Sequence, residues 1–383
     1  MTWSYRIATI RGIDLKVHAT FAVIVLLAAA NWSDLGPTGM AFGAGLILLL
    51  FGCVTLHEFG HAIAAQRYGI PVREIVLLPI GGVAVLGRAT RHPVQELVVA
   101  AAGPAVNVAL IALLAPVLYL IGEPVSLLPV FVRPDGATPS LVEALHWLLG
   151  ANVSLVLFNL IPAFPLDGGR MLRGLLGLVM EWPQATRWAT TTGQTLAVGM
   201  GTLGVMGGQL MLVIIAVMIF VAASATDADE RAHAVLSTQR VGDACNRHAT
   251  TLGEADRVST VIRHLLTSYQ SDFAVLRGPR LLGVVRRSHV IGALAHRTGD
   301  PPVTAIMADC ATVSADGSLA DTRRLLQESR WSVAAVFHDG DFIGLVSAED
   351  IAEAETVLAF VRAGSPGRPT RGALRQSHAP AEA

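Results

Sequence analysis

Residues 57–61 of the chain read HEFGH, which places two histidines four positions apart with a glutamate between them. On an α-helix, positions i and i+4 lie on the same face, so His57 and His61 can bind one zinc ion while Glu58 lies beside it. A glutamate in that place can be the general base that takes a proton from zinc-bound water. Because ionisable side chains in an apolar segment are costly and usually functional, the spacing predicts a hydrolytic zinc site.

Two histidines leave a catalytic zinc site incomplete, because such sites normally have three protein ligands and one open position. Residues 158–170 read FNLIPAFPLDGGR, and Pro162 and Pro165 cannot continue a regular helix there. Irregular backbone at membrane depth is tolerated where it lines a polar cavity or is buried in protein. We therefore expect Asp167, at this break, to be the third zinc ligand. The alternative is an aspartate that only caps a helix or a turn.

The elements that must position these residues belong to a chain with the composition of a membrane protein. Its 383 residues are 52% hydrophobic and 15% charged, and its mean hydropathy is +0.55, whereas an ordinary globular domain has about 25% charged residues. Of its 28 basic and 29 acidic residues, 21 precede Asp227. A formal net charge of −1 gives no basic surplus for nucleic acid, and three widely spaced cysteines fit buried thiols better than a disulfide framework.

Several apolar runs before residue 227 are candidates to cross a bilayer as helices. The run at 188–226 would be about 58 Å long as one helix, nearly twice the hydrocarbon thickness of about 30 Å, so we expect it to turn back at 206–208. About six transmembrane helices are therefore predicted. The four earlier runs are residues 17–32, 35–56, 97–122 and 144–166.

The basic residues of this half predict its orientation. This half contains eleven basic residues. Ten of them precede the first span, lie between the second and third spans, or lie between the fourth and fifth spans, and only Arg133 lies on the other side. Basic residues are enriched in cytoplasmic loops, so both termini are expected inside the cell. The ten are Arg6, Arg11, Lys16, Arg67, Arg73, Arg88, Arg91, Arg170, Arg173 and Arg187.

Two further segments of this half have recognisable patterns. Residues 75–86 read IVLLPIGGVAVL, an apolar segment broken by proline and two glycines, which predicts a short membrane-associated β hairpin. The third apolar run contains GPAVN at 103–107, where Gly103 permits close helix approach and Asn107 can hydrogen-bond across the helix bundle.

The HEFGH motif followed by NLIPAFPLDGG at 159–169 resembles the site-2 protease family of intramembrane zinc metalloproteases, over roughly residues 18–225. The resemblance implies zinc on His57, His61 and Asp167, with Glu58 catalytic. It also implies that Asn159 assists the substrate carbonyl or oxyanion, the alternative being an asparagine that only packs at a helix end. In similar proteases the hairpin offers a strand edge to an extended substrate.

After residue 226 the composition becomes that of a soluble domain, and a repeat appears at an offset of about 61 residues. Residues 241–245 match 303–307 in position, and LGVV at 282–285 matches IGLV at 343–346. Between these matches each unit has a polar helix, a strand, a turn and another strand. The pattern resembles a pair of CBS domains, which associate as an α/β module and bind adenine nucleotides or simply dimerise.

The resemblance to CBS domains implies an adenine-nucleotide contact at Ser347 and Asp350, a hydroxyl residue three positions before an aspartate after the last strand. The first unit has Arg286 and His289 in the matching places, so at most one ordinary nucleotide site is expected. For Ser347 and Asp350 the alternative is an N-cap that opens the final helix. Both interpretations stay open at this point.

These patterns together predict a polytopic α-helical membrane protein of about six transmembrane helices, with a short membrane-associated β hairpin and a soluble α/β CBS pair. The expected domains are a transmembrane zinc metalloprotease domain at 1–226, a linker at 227–240, CBS domains at 241–298 and 299–362, and a disordered tail at 363–383.

The expected function is that of an intramembrane zinc endopeptidase of a bacterial-type plasma membrane, as the resemblance implies. Its partners would be the lipid bilayer and a membrane-tethered regulator such as an anti-sigma or pro-sigma factor, and the CBS pair would tune activity or mediate homodimerisation. The alternative is a CBS-regulated metal-ion transporter that uses His57, His61 and Asp167 as its transport site. Transport does not require Glu58 between the histidines, and the other spans carry no comparable polar pathway.

Overall fold

The computed structural model of the chain describes residues 3–79, 81–86, 91–128, 138–268, 270–295, 299–329 and 331–363. The chain divides into two compact units, Met1–Glu230 and Arg231–Ala383. Of the predicted tail at 363–383, only Ala363 is described, as the last residue of a helix. Two of the predicted orientation markers, Arg88 and Arg133, also lie outside the described residues.

The first unit begins with strands that join the predicted hairpin in one sheet. The strands are β1 (Ser4–Ile10), β2 (Ile13–His18), β3 (Val72–Leu78) and β4 (Gly81–Leu86), in the order β1-β2-β3-β4. Strands β1 and β2 pair antiparallel, β2 and β3 parallel, and β3 and β4 antiparallel. The hairpin predicted at 75–86 is thus present as β3 and β4, and β4 is an edge strand. Strands β1 and β2 were not predicted from the sequence.

Seven helices of the described residues lie in or extend from the first unit. They are α1 (Phe21–Asn31), α2 (Gly36–Arg67), α3 (Pro93–Leu120), α4 (Leu141–Asn159), α5 (Asp167–Leu176), α6 (Trp182–Met206) and α7 (Leu210–Leu236). Of the helices described, four are long and apolar enough to cross a membrane: α2 with the 3₁₀ turn before it, α3, α4 and α7.

Two of the six predicted spans correspond to α1 and α6, which are not among these four helices, and there is a physical reason in each case. Helix α1 has 11 residues, which is about 16 Å at 1.5 Å per residue. Helix α6 has 25 residues, but threonines and Gln194 interrupt its apolar sequence. The predicted turn at 206–208 is confirmed, because α6 ends at Met206, Gly208 has φ +64° and α7 begins at Leu210.

The second unit contains the predicted repeat. Its first half has α8 (Val241–Ala244), β5 (Leu252–Gly253), α9 (Val258–Thr267), β6 (Asp272–Arg277), β7 (Arg280–Arg286) and α10 (Arg287–Ala295). Its second half has a 3₁₀ turn (Val303–Ala305), β8 (Ala311–Ser314), α11 (Leu319–Glu328), β9 (Val333–His338), β10 (Asp341–Ser347) and α12 (Ala348–Ala363). The sheets run β5-β6-β7 and β10-β9-β8. Strand β9 begins 61 residues after β6 and β10 begins 61 residues after β7, as the repeat predicts.

Each unit has its own apolar core. In the first, Ile13 and Ile75 of the sheet pack with Ala62 and Ala65 of α2. In the second, residues of both halves, including Val284 of β7 and Leu345 of β10, share one cluster. Helix α7 continues to Leu236, so the predicted linker at 227–240 is helical over its first ten residues.

Candidate metal centre

Helix α2 brings the two motif histidines to one buried face. His57 and His61 are 6% and 5% exposed, and their ring centroids lie 4.7 Å apart, one helical turn from each other. Cys53, one turn earlier, is buried on the same side of the helix. The HEFGH spacing therefore places both imidazoles against the neighbouring helices, while Glu58 is only partly buried.

The segment between α4 and α5 delivers Asp167 to the same place. Helix α4 ends at Asn159, before Pro162, and α5 begins at Asp167 itself. A Cβ atom on Gly168 would overlap the backbone of residues 160 and 161, and one on Gly169 would overlap that of 163 and 164. These two glycines let the chain turn tightly enough to bury the Asp167 carboxylate, which is 7% exposed.

The three side chains converge in a close triangle. The Nε2 atoms of His57 and His61 are 3.0 Å apart, and Asp167 Oδ2 lies 3.2 Å from the first and 3.1 Å from the second. Ligand atoms that share one tetrahedral zinc ion, each about 2.0–2.1 Å from it, lie about 3.3 Å apart. In the part of the chain that the structure describes, this is the group whose ligand atoms could hold a metal ion.

The hydrogen bonds on the far side of each imidazole fix the protons away from the triangle. His57 Nδ1 lies 2.5 Å from Asn107 Oδ1, and His61 Nδ1 lies 2.7 Å from the carbonyl oxygen of Val99. Because a carbonyl oxygen can only accept, the ring proton of each neutral histidine belongs on Nδ1. The two Nε2 atoms and the Asp167 carboxylate then face one another with lone pairs, an arrangement that a bound cation stabilises.

The support of His57 extends through two asparagines. Asn107 Nδ2 donates to Asn152 Oδ1 over 2.8 Å. Asn152 in turn donates to the carbonyl oxygen of Leu148 over 2.8 Å and lies 3.5 Å from Cys53 Sγ. Both asparagines are fully buried. The sequence analysis identified Asn107 as a polar contact across the bundle but missed Asn152, whose signal is an amide within the apolar run of α4.

Two glycines allow other elements to approach the site closely. A Cβ atom on Gly103 of α3 would overlap the Nε2 atoms of both imidazoles, so only a residue without a side chain fits beside these two nitrogens. A Cβ atom on Gly82 of β4 would lie 2.6 Å from Glu58 Cγ and 3.3 Å from Glu58 Oε1. The edge strand of the sheet therefore passes directly beside the glutamate of the HEFGH motif.

The remaining residues predicted for the active site and the nucleotide site lie in two places. Asn159 is the last residue of α4 and is half-buried. In the second unit, Ser347 Oγ accepts from the Asp350 backbone N–H over 3.0 Å, and Asp350 Oδ2 accepts from both the backbone N–H and the hydroxyl of Ser347 over 2.8 Å. This reciprocal pair caps the start of α12, so the capping interpretation describes their contacts in this structure.

Charged groups gather near this cap. Strand β6 begins at Asp272, whose register partner on β7 is Arg286. Burial raises the pKa of the Asp272 carboxyl, and the nearby negative charges of Glu349 and Asp350 add to that effect while Arg286 opposes it. His289, which stands where the second half has Asp350, has its pKa lowered by burial and by Arg286.

Comparison with known proteins gives matches over both units. The family model of Peptidase family M50 matches residues 45–134 and 121–200, and the CBS domain model matches residues 303–356. A zinc metalloprotease of Methanocaldococcus jannaschii is 27% identical over 358 residues, which cover 94% of this chain and 98% of the relative. A protein of Synechocystis named as a candidate zinc metalloprotease is 26% identical, over 92% of this chain and 95% of that protein. The solved site-2 protease from M. jannaschii is 31% identical in sequence, covers 59% of this chain and 95% of that chain, and has a TM-score of 0.42.

Proposed function

This chain belongs to the site-2 protease family, the zinc metalloproteases of Peptidase family M50, and from that premise we propose that it hydrolyses a peptide bond in or near a transmembrane segment of a membrane-tethered regulatory protein. The substrates we propose are of the anti-sigma or pro-sigma type. The observation that carries the proposal is the convergence of His57, His61 and Asp167 in a triangle of 3.0–3.2 Å, with Glu58 at its side.

The zinc ligands we propose are His57 Nε2, His61 Nε2 and Asp167 Oδ2. The donor set of two imidazoles and one carboxylate fits this metal, because both Nδ1 atoms are hydrogen-bonded to oxygen atoms and leave the Nε2 atoms to bind it. Zinc, when bound, supplies a Lewis acid that lowers the pKa of a water molecule and polarises a carbonyl group. The contribution of the three side chains is to hold their lone pairs in fixed positions before the substrate arrives.

Glu58 is the proposed general base. Its neighbour His57 is buried in the triangle, whereas Glu58 itself is partly buried and faces strand β4 at Gly82. From there its carboxylate can accept a proton from the attacking water and return it to the leaving amine. Asn159, at the end of α4, is proposed to donate a hydrogen bond to the oxygen of the scissile carbonyl.

The proposed substrate path follows strand β4. A peptide bond inside a helix is protected by helical hydrogen bonds, so the substrate must be unwound before water can attack it. Strand β4 lies at the edge of its sheet and carries the glycine next to Glu58. An extended substrate segment that adds to this edge would be held beside the general base.

For the membrane we propose six spans, with both termini in the cytoplasm of a cell with a bacterial-type plasma membrane. The two spans beyond the four long apolar helices would be the apolar run 17–32, which contains α1, and α6. Helix α6 packs with α7 through the hydrogen bond from Gln194 Nε2 to Ser224 Oγ, 3.0 Å long, which gives the amide of Gln194 a partner on the neighbouring helix.

The second unit is proposed to regulate the protease. An adenine nucleotide would be held by Ser347 and Asp350, exchanging part of their capping bonds for bonds to the ribose. The CBS pair would also support a homodimer, because several apolar side chains on its helices are exposed. These side chains are Leu266, Ile291, Leu294, Val357, Phe360 and Val361.

The alternative of a CBS-regulated metal-ion transporter is not favoured, because the relatives that match more than nine-tenths of this chain are named as zinc metalloproteases. The two functions predict different behaviour in liposomes. We expect the reconstituted protein to cut a transmembrane model peptide that carries helix-breaking residues, to lose this activity to a zinc chelator and to regain it when zinc is added back. Zinc flux without any peptide fragments by mass spectrometry would contradict the proposal.

A further inference from the structure

A buried cluster of three charged side chains lies next to the metal centre without belonging to it. Glu96, near the start of α3, has no exposed surface. Its Oε1 atom accepts from Arg173 Nη2 over 2.6 Å and from Arg170 Nε over 3.2 Å. Both arginines belong to α5, so one buried carboxylate of α3 holds two successive turns of α5.

The same helix α5 starts at Asp167, one turn before Arg170. Arg173 is further fixed by two aromatic rings, since its guanidinium carbon lies 5.0 Å from the ring centre of Phe164 and 4.9 Å from that of Trp182. Phe164 precedes α5 in the tight turn, and Trp182 begins α6. Through Arg173, Glu96 is therefore connected to both ends of the segment that presents Asp167.

The face of α3 that carries Glu96 also contacts both histidines. Glu96, Val99, Gly103 and Asn107 are spaced by three or four residues and so lie on one stripe of the helix. The carbonyl oxygen of Val99 accepts from His61, Asn107 accepts from His57, and Gly103 leaves room for both rings. Helix α3 supplies no ligand atom. Residues of this stripe contact both histidines directly, and Glu96 is connected to Asp167 through its ion pairs with α5.

The cost of this cluster indicates that it does more than stabilise the fold. Among the residues that the structure describes, Glu96 Oε2 and Arg173 Nε are buried polar atoms with no hydrogen-bond partner. A buried ion pair is often no more stabilising than a well-packed apolar substitute, whereas it does restrict the geometry of the elements it joins. The two elements that this cluster joins are α3 and α5.

We propose that Glu96 is a positioning residue for the zinc site. By holding Arg170 and Arg173 it fixes α5 against α3, which keeps Asp167 Oδ2 within 3.1–3.2 Å of the two histidine nitrogens. The inference rests on the proposed function in one respect, namely that this group of three binds zinc.

The test is metal binding by the full-length protein in detergent, compared between wild type and Glu96→Gln. Zinc affinity is measured by competition with a chelating dye, and the visible spectrum of the Co²⁺-loaded protein reports the ligand geometry. We expect Glu96→Gln to bind zinc about 10–100-fold more weakly, as substitutions of residues that support metal ligands do, and to alter the Co²⁺ spectrum. The activity that remains should show a lower kcat with little change in KM.

Two further variants separate positioning from folding. Glu230→Gln removes another buried carboxylate, paired with Arg91 at 3.3 Å, and should leave zinc affinity and the Co²⁺ spectrum as in wild type. If Glu96→Gln does not fold, the double variant Arg170→Lys/Arg173→Lys, which keeps the charges and loses the fork geometry, should show the same weakening. Wild-type zinc affinity and an unchanged Co²⁺ spectrum in folded Glu96→Gln, or in the double variant, would overturn the inference. Failure of wild type to bind zinc would instead overturn the proposed function.

Discussion

The imidazoles of His57 and His61 depend on partners that are far from them in sequence. Each Nδ1 has an oxygen partner on α3, one from a side chain and one from the backbone. Such partners select the ring tautomer and orientation and increase the basicity of the ligand nitrogen. Zinc binding at this site should therefore respond to substitutions at residues that are not ligands.

The first prediction at this scale concerns Gly103. In Gly103→Ala the new methyl group would overlap both imidazoles, so we expect zinc affinity to fall by tenfold or more, as measured by chelator competition. The matched control is Gly52→Ala on α2, where a Cβ atom meets no atom within 4 Å apart from the adjoining backbone of its own helix. Equal zinc affinity in both variants would show that the site has more room than its geometry indicates.

The second prediction at this scale concerns Asn107. Asn107→Ala removes the acceptor of the His57 Nδ1 proton, so His57 can adopt the other tautomer and lose its Nε2 lone pair. We expect zinc to bind about 10–100-fold more weakly. Thr190→Val serves as the control, because the Thr190 hydroxyl is also buried but bonds to the backbone of its own helix. Unchanged affinity in Asn107→Ala would refute the role of Asn107.

At the residue scale the sequence predicted the three side chains that the structure brings together and, apart from Asn107, missed the residues that support them. The HEFGH spacing and the proline break were sufficient to select His57, His61 and Asp167. The support from Val99 comes from a backbone carbonyl, which any residue type would provide. Asn152 could not be predicted in the same way, because no motif spacing connects it to Asn107 and the sequence does not specify how α3 and α4 pack.

At the scale of elements, the sheet and α3 approach the HEFGH helix from two directions and act on different residues. Helix α3 contacts the histidines, and strand β4 passes Glu58 at Gly82. Damage to these two elements should therefore have separable effects on zinc binding and on catalysis.

The prediction for β4 uses Gly82→Ala. Its methyl group would press on the Glu58 side chain, 2.6 Å from Cγ, and its three nearest atoms all belong to Glu58 and none to the candidate ligands. We expect normal zinc content, measured by atomic absorption, with cleavage of a transmembrane peptide reduced about tenfold or more, since general-base catalysis contributes about 10²–10⁴-fold. Loss of zinc and cleavage together would contradict this separation.

The elements themselves were predictable where a strong local signal exists. Gly207 and Gly208 interrupt an apolar run too long for one span, and the turn is there. Strands β1 and β2 were missed because their basic residues were interpreted only as markers of orientation. The turn that joins them has positive φ at Arg11 and Gly12, and an arginine gives little sequence signal for such a conformation. The parallel pairing of β2 with β3 depends on residues far apart in the chain.

At the scale of the whole molecule, the chain combines a family M50 protease domain with a CBS unit whose repeat is visible in both sequence and structure. The sequence predicted that repeat because the same strands recur 61 residues apart. It left the role of Ser347 and Asp350 open, since an N-cap and a ribose contact use the same residue types. In the structure these side chains bond to each other, and the nucleotide role stays a prediction.

The prediction at this scale is a thermal-shift experiment. Saturating adenine nucleotide should raise the unfolding midpoint of the second unit in wild type, because a ligand that binds only the folded state stabilises it. Ser347→Ala should lose about 0.5–2 kcal/mol from the cap and also lose the nucleotide response. Ser318→Ala removes the N-cap of α11 instead and should keep that response. An unchanged midpoint in wild type would leave the CBS pair with a role in assembly alone.

The measurement that tests the central claim most directly compares wild type with Glu58→Gln in the same liposomes, with zinc content and cleavage of a transmembrane peptide determined on the same samples. The substitution keeps the shape of the side chain and removes the base, while His57, His61 and Asp167 remain. We predict one zinc ion per chain in both proteins and peptide fragments from wild type only. Equal cleavage by both proteins would contradict the assignment of Glu58 as the general base.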